Sequence, residues 1–208
     1  MTESDNTQPS AAQTVYIVED DAAVGEALCD LFDSAGVAAQ HFPTAEAFLA
    51  FWNPSMAGCL MLDVRLPGMS GIELQSDLAE TGHSIPIIIM TAHGDVPMVR
   101  KAFKAGAVEF LTKPFQDEEL LGAVRSALAL DRERRATALE AGSVRMLVDS
   151  LSKREREVVE MVTAGITNRE IAEKLYLSQV TIKLYRRQAM EKLRVETLAD
   201  LVKLWQKR

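Results

Sequence analysis

Five short apolar runs, separated by helical patterns, set the tightest limit on what this chain can fold into. They lie at 15–18, 37–42, 59–62, 86–90 and 108–111. The run at 86–90 is almost wholly apolar, as expected of a strand covered on both faces. After the first run, Leu28, Leu31 and Phe32 share one face of a helix that starts near Ala22 and stops at Gly36. Pro43 and Thr44 open a short helix through Ala50, and helices fill the gaps after the third and fourth runs. This alternation predicts an α/β domain over 14–130, a doubly wound five-stranded parallel sheet with right-handed crossovers. In such sheets the functional site gathers at the carboxyl ends of the strands.

The pattern changes near Gln116. Asp117, Glu118 and Glu119 suit the positive N-terminus of a helix, and Leu121, Val124 and Leu128 follow at helical spacing. Few apolar residues follow over 131–140, which predicts a helix running out into a solvated linker at 131–150, broken at Gly142 and Ser143. From Leu151 to the end at 208 the chain reads as an all-α four-helix domain. Its helices cover 153–164, 168–175 with Asn168 as cap, 178–193 with Ser178 as cap, and 197–206. Residues 1–13 are polar and without period, which predicts a flexible tail.

Charge divides the same way. Residues 1–130 carry 18 acids and 6 bases, whereas 131–208 carry 12 acids and 17 bases. An acidic half and a basic half predict different partners, nucleic acid for the second. Arg65 is the first lysine or arginine in the chain, which argues against a secretory or mitochondrial leader. No apolar run approaches the ~20 residues of a membrane span. Cys29 and Cys59 sit in apolar patterns without metal-ligand spacing, which fits core positions in a reducing compartment. A cytoplasmic protein without membrane contact is expected.

The polar residues at the strand ends carry the chemistry. Asp20 and Asp21 follow the first strand, Asp63 the third, Thr91 the fourth and Lys113 the fifth. An aspartate after a strand is ordinarily a turn or cap residue; five such groups converging on one sheet edge are not explained that way. Adjacent carboxylates repel, and a hard cation such as Mg²⁺ relieves the repulsion. A lysine and a hydroxyl opposite can hold phosphate oxygens, and one carboxylate can act as nucleophile toward phosphorus. Gly68 and Gly71 suit a tight turn after Asp63.

Residues 14–130 resemble the receiver domain of bacterial two-component response regulators, of flavodoxin-like fold. The motifs are VYIVEDD (15–21), LDVRLPGMSGIEL (62–74), IIIMTAHGD (87–95) and FLTKPF (110–115), the last three close in wording to the FixJ-type subgroup. The resemblance implies Asp63 as phosphoacceptor, with Asp20, Asp21, Asp63 and the Arg65 backbone carbonyl as Mg²⁺ ligands. It implies Thr91 and Lys113 as phosphoryl-stabilising groups, Phe110 as the aromatic switch residue and a cis bond before Pro114. Arg65 and His93 lie two residues beyond Asp63 and Thr91, where they would tune the phosphoryl lifetime.

In the basic half, Ile182, Tyr185, Ala189 and Leu193 mark a buried helical stripe, with Lys183, Arg186 and Arg187 mainly off it. A short helix, a tight turn and a basic helix make a helix-turn-helix pattern, whose second helix fits the major groove. Residues 151–205 resemble the LuxR/NarL-type DNA-binding domain through LSKREREVVEMV (151–162), AGITNREIAEKLYLS (164–178) and VTIKLYRRQAMEKL (180–193). The resemblance implies Lys183, Leu184 and Arg187 at base edges and Thr181, Asn168 and Lys192 at the DNA backbone. Tyr185 stands where a histidine is usual. Glu155 reads as structural, tied to a base such as Arg169. The implied partners are a sensor histidine kinase, promoter DNA, a second copy of the chain on phosphorylation, and RNA polymerase. Dimer contacts are expected at Val96, Pro97 and Met98 on the fourth-helix side of the receiver, and at Trp205 in the last helix.

Two rival readings differ in class. A phosphatase with an aspartyl nucleophile of the haloacid dehalogenase type needs a carboxylate two residues after it, where this chain has Arg65. A DNA-binding module indifferent to phosphate would bind equally well with Asp63→Asn.

Overall fold

The computed structural model describes residues 13–81, 84–92 and 96–207. The chain divides into two compact units, Met1–Arg134 and Arg135–Arg208. The order in the first is β1 (Thr14–Val18), α1 (Ala22–Ser34), β2 (Ala38–Phe42), α2 (Ala45–Phe51), β3 (Gly58–Asp63), α3 (Gly71–Glu80), β4 (Ile87–Thr91), α4 (Val96–Lys104), β5 (Glu109–Thr112) and α5 (Asp117–Asp149), the last continuing into the second. Each apolar run is a strand, and the strands form one parallel sheet in the order β2-β1-β3-β4-β5.

Period-two alternation sorts the sheet into two cores. Tyr16, Val18, Leu60, Leu62, Ile87 and Ile89 face one side, with residues of α2, α3 and α4. Val15, Ile17, Cys59, Met61, Ile88 and Met90 face the other, with Leu28 and Phe32 of α1 and Leu120, Val124 and Leu128 of α5. Burial pushes the Cys59 thiol up to about 12, which makes it an inert core residue.

The first unit extends past both predicted ends. Asp131 is buried and accepts hydrogen bonds from the backbone N–H of Gly58 at 2.9 Å and from Gln13 Nε2 at 3.0 Å. Gln13 also donates to the Leu128 carbonyl. Gln13, expected in the tail, and Asp131, expected in the linker, therefore belong to the domain. In sequence both read as solvated; an open backbone donor at the start of β3 draws them in. Residues 1–12 of the expected tail lie outside the described residues.

The second unit adds α6 (Lys153–Thr163), α7 (Asn168–Leu175), α8 (Gln179–Lys192) and α9 (Leu198–Gln206). They pack around Val158, Val159, Ile171, Ile182, Ala189 and Leu201, together with Val144 and Val148 of α5. Gly142 and Ser143 do not break α5. A helical glycine costs about 1 kcal/mol relative to alanine, whereas burying a valine gains about 1.5–3 kcal/mol. Docking Val144 and Val148 therefore outweighs the break signal. Thr167, not Asn168, caps α7, through a reciprocal pair with Glu170; Asn168 is the first helical residue. Ser178 caps α8 as expected.

Two residues expected at interfaces make contacts within this unit. Trp205 is only 7% exposed and packs among the buried apolar residues. Lys192, expected at the DNA backbone, donates to Glu155 Oε2 at 2.7 Å. Glu155 also accepts from the backbone N–H of Ser152 at 2.7 Å, which ties the start of α6 to the end of α8. Lys192 is thus the partner of Glu155, in place of Arg169, which lies beside Glu173. Burial alone would raise the Glu155 carboxyl, but hydrogen bonds from Lys192 and Ser152 outweigh it and hold it below its ordinary value.

A carboxyl with a depressed folded-state pKa stabilises above its unfolded value and loses that contribution as pH falls through the folded one. Glu155→Ala is therefore expected to cost about 1–2 kcal/mol at neutral pH, from the lost cap and bridge. The gap from wild type closes as acid protonates Glu155. Denaturation followed by Trp205 fluorescence, in a Trp52→Phe background from pH 7 down to pH 3, checks both statements.

Candidate phosphoryl site and nucleic-acid interface

Strand register assembles the first site. Val18 of β1 pairs with Leu62 of β3, so Glu19 leaves the sheet beside Asp63. Asp63 pairs with Met90, one residue before Thr91, and Thr91 pairs with Thr112, one residue before Lys113. Glu19, Asp63, Thr91 and Lys113 thus arrive at one edge from four adjacent strands.

Lys113 closes the group. Its ammonium donates to Glu19 Oε2 and Asp63 Oδ2, both at 2.5 Å. Asp63 Oδ1 accepts from the backbone N–H of Arg65 at 3.0 Å. Asp63 and Thr91 are buried, and the Arg65 side chain is exposed. The peptide bond between Lys113 and Pro114 is cis, as expected. Phe110 is half-buried and packs against the α2–α4 core.

The acidic cluster differs from the expected one by a residue. Glu19, Asp20 and Asp63 offer ligand oxygens within 4.8 Å of one another. The Asp21 side chain instead accepts the N–H groups of Ala23 and Val24 as N-cap of α1. Counting from the last paired residue, Val18, finds the difference: Glu19 is the first residue past the strand, and Asp21 is where α1 needs a cap. Three carboxylates this close suit a hard, oxygen-seeking divalent cation.

Burial pushes the Glu19 carboxyl above its ordinary value, the charge of Asp63 adds to this, and Lys113 only partly offsets it. Burial works against the Lys113 charge as well, but its bonds to Asp63 and Glu19 outweigh that and hold the ammonium above the ordinary lysine value. The backbone behind Asp63 is equally constrained. At Gly71, the first residue of α3, a Cβ would stand 2.1 Å from the Asp63 carbonyl oxygen. Gly68, in the preceding loop, has φ +76°. His93 lies outside the described residues.

In the second unit, Lys183, Leu184 and Arg187 are exposed on α8, opposite the buried Ile182 and Ala189. Asn168 of α7 lines an open concavity with Lys183, Arg186 and Arg187. Thr181 is half-buried, its hydroxyl 2.8 Å from that of Ser178. On α4, Val96 and Pro97 are exposed, but Met98 packs inward against the α2–α4 core. The exposed Phe103, missed in sequence, accompanies them.

Residues 15–125 match the response regulator receiver domain, and residues 149–205 match the bacterial regulatory proteins of the luxR family. The chain belongs to the response regulator family. It is 46% identical over 193 residues to the response regulator protein TodT of Pseudomonas putida strain F1, which covers 93% of this chain and 85% of that one. It is 40% identical over 190 residues to the transcriptional regulatory protein FixJ of Bradyrhizobium diazoefficiens, covering 91% and 93%. The solved structure of the response regulator StyR superposes with a TM-score of 0.88 at 44% identity, covering 95% of this chain and all of that one.

This response regulator therefore joins a receiver to a LuxR-type DNA-binding domain, as a phosphorylation-dependent transcription factor does. Among the described residues, no helix is long and apolar enough to cross a membrane.

A carboxyl with a raised folded-state pKa costs stability as pH rises through that value. Glu19→Gln is therefore expected to raise the thermal midpoint of the receiver at pH 7 in metal-free buffer, with the gain vanishing toward pH 4. Gly71→Ala is expected to lower that midpoint, by about 1–3 kcal/mol of strain. Trp52 fluorescence in a Trp205→Phe background reads both; a lower midpoint for Glu19→Gln at pH 7 would contradict the first.

Proposed function

We propose that Asp63 accepts a phosphoryl group from a sensor histidine kinase. A carboxylate oxygen of Asp63 attacks phosphorus, the bond to the kinase histidine nitrogen breaks, and an acyl phosphate forms. The observation that carries this reading is Lys113, whose ammonium bridges Asp63 and Glu19 beside the buried Thr91. Lys113 already sits where a phosphoryl oxygen on Asp63 needs a cation, and the Thr91 hydroxyl supplies a hydrogen bond on the same edge.

Glu19, Asp20, Asp63 and the Arg65 backbone carbonyl would hold Mg²⁺, which supplies positive charge against the attacking carboxylate and the phosphoryl oxygens. The exposed Arg65 side chain stands two residues from Asp63 and tunes access of water to the acyl phosphate. The same site supports hydrolysis of its own phosphoryl group and acts on no other substrate.

Phosphorylation adds about two negative charges to a site that already sets the carboxylates of Glu19, Asp20 and Asp63 against Lys113. Thr91 and Phe110 shift in response, and the receiver dimerises through its α4 side, where Val96, Pro97 and Phe103 are exposed. The paired C-terminal domains then bind promoter DNA, with Lys183, Leu184 and Arg187 at base edges, Asn168 and Thr181 at the backbone, and RNA polymerase as the partner downstream. The protein works in the cytoplasm.

The test is intact mass and oligomeric state after incubation with Mg²⁺ and a small-molecule phosphodonor. Wild type is expected to gain one phosphoryl group and shift to a dimer; Asp63→Asn gains neither. A phosphoryl group on both proteins would overturn Asp63 as the acceptor. A phosphorylated monomer would keep the acceptor and overturn the dimer mechanism.

A further inference from the structure

The outward face of α8 is fuller than the proposed base contacts require. Ile182 and Ala189 are buried and Tyr185 is half-buried, which defines the inward face. Val180, Lys183, Leu184 and Arg187 are all exposed. Their spacing of i, i+3, i+4 and i+7 makes them one helical stripe. Three of the four belong to the DNA contacts proposed above. The fourth, Val180, is 77% exposed, and Leu184 beside it is 46% exposed.

Val180 is no part of the C-terminal core. It is the second residue of α8, directly after the Ser178 cap and Gln179. A β-branched residue at an exposed helical position is mildly unfavourable, so local folding gives no reason for it. In a helix-turn-helix the N-terminal residues of the second helix are those that reach base edges. The apolar group a duplex presents in its major groove is the C5-methyl of thymine.

We infer that Val180 is a specificity residue, which reads a thymine methyl one helical turn ahead of Leu184. The inference rests on α8 being the recognition helix. Four residues of helix rise about 6 Å, and base pairs stack about 3.4 Å apart along a strand. Val180 and Leu184 therefore address positions about two base steps apart, with Lys183 and Arg187 beside them for guanine edges or phosphates.

The experiment uses the full chain with Mg²⁺ and a small-molecule phosphodonor. Duplexes are selected from a random-sequence pool, and each thymine of the enriched duplex is replaced in turn by deoxyuridine, which removes only the methyl. Affinity is read by fluorescence anisotropy for wild type and Val180→Ala, with folding checked by circular dichroism. Val180→Ser serves if the alanine variant fails to bind. At one thymine, methyl loss is expected to weaken wild type about fourfold and leave the variant unchanged. Overturning results are wild-type affinity indifferent to every methyl, or a variant that loses as much as wild type at each position. Both leave the DNA-binding reading intact. A pool that enriches no duplex overturns that reading and this inference together.

Discussion

One lysine holds together three strands' worth of chemistry. Lys113 leaves β5 and reaches Asp63 on β3 and Glu19 on β1, so a single ammonium offsets two buried or nearly buried carboxylates. Its position depends on the parallel register across four strands, since a slip of one residue would turn each side chain to the opposite face. The sheet in turn depends on covering both faces, which divides its apolar residues between two cores. The charge arrangement and the core packing are therefore not separable. The same alternation that buries Val18 and Leu62 aims the residues that follow them.

The balance at this edge is incomplete by design of the fold. Glu19 is held above its ordinary pKa even with Lys113 on it. Residual negative charge of this kind favours a divalent cation and gives a transferred phosphoryl group a lysine to compete for. The close approach of Gly71 to the Asp63 carbonyl leaves no room for a side chain behind Asp63. Such a site suits a switch in which a local charge change biases a surface some distance along the sheet.

The C-terminal unit sorts its charges differently. Glu155 and Lys192 tie α6 to α8 on the structural side, while Lys183 and Arg187 remain exposed on the outward stripe. Bases on one helix thus stand in different surroundings, and composition does not distinguish them. Arg187 and Lys192 are five residues apart, and only the neighbour across the bundle shows that one is engaged. Trp205 makes the same point. Its spacing with Leu198, Leu201 and Val202 defines an apolar stripe, but Leu198 is exposed and Trp205 is core.

The sequence by itself determined the alternation of strands and helices, the acid–base split between the halves, and the strand ends that carry Asp63, Thr91 and Lys113. Those features are local: they follow from periodicity over a few residues, which a linear chain displays in full. Tertiary structure alone decided matters in which the competing partner is distant in sequence. Asp21 caps α1 and leaves the acidic cluster to Glu19, because the pairing of β1 with β3 ends at Val18. Asp131 turns from linker to core because Gly58 offers it a backbone N–H. Gly142 stays helical because Val144 and Val148 find a core to enter. For Asp131 and Gly142 a local preference yields to a buried hydrogen bond or to burial worth about 1 kcal/mol or more, and neither is visible until the chain has folded back on itself.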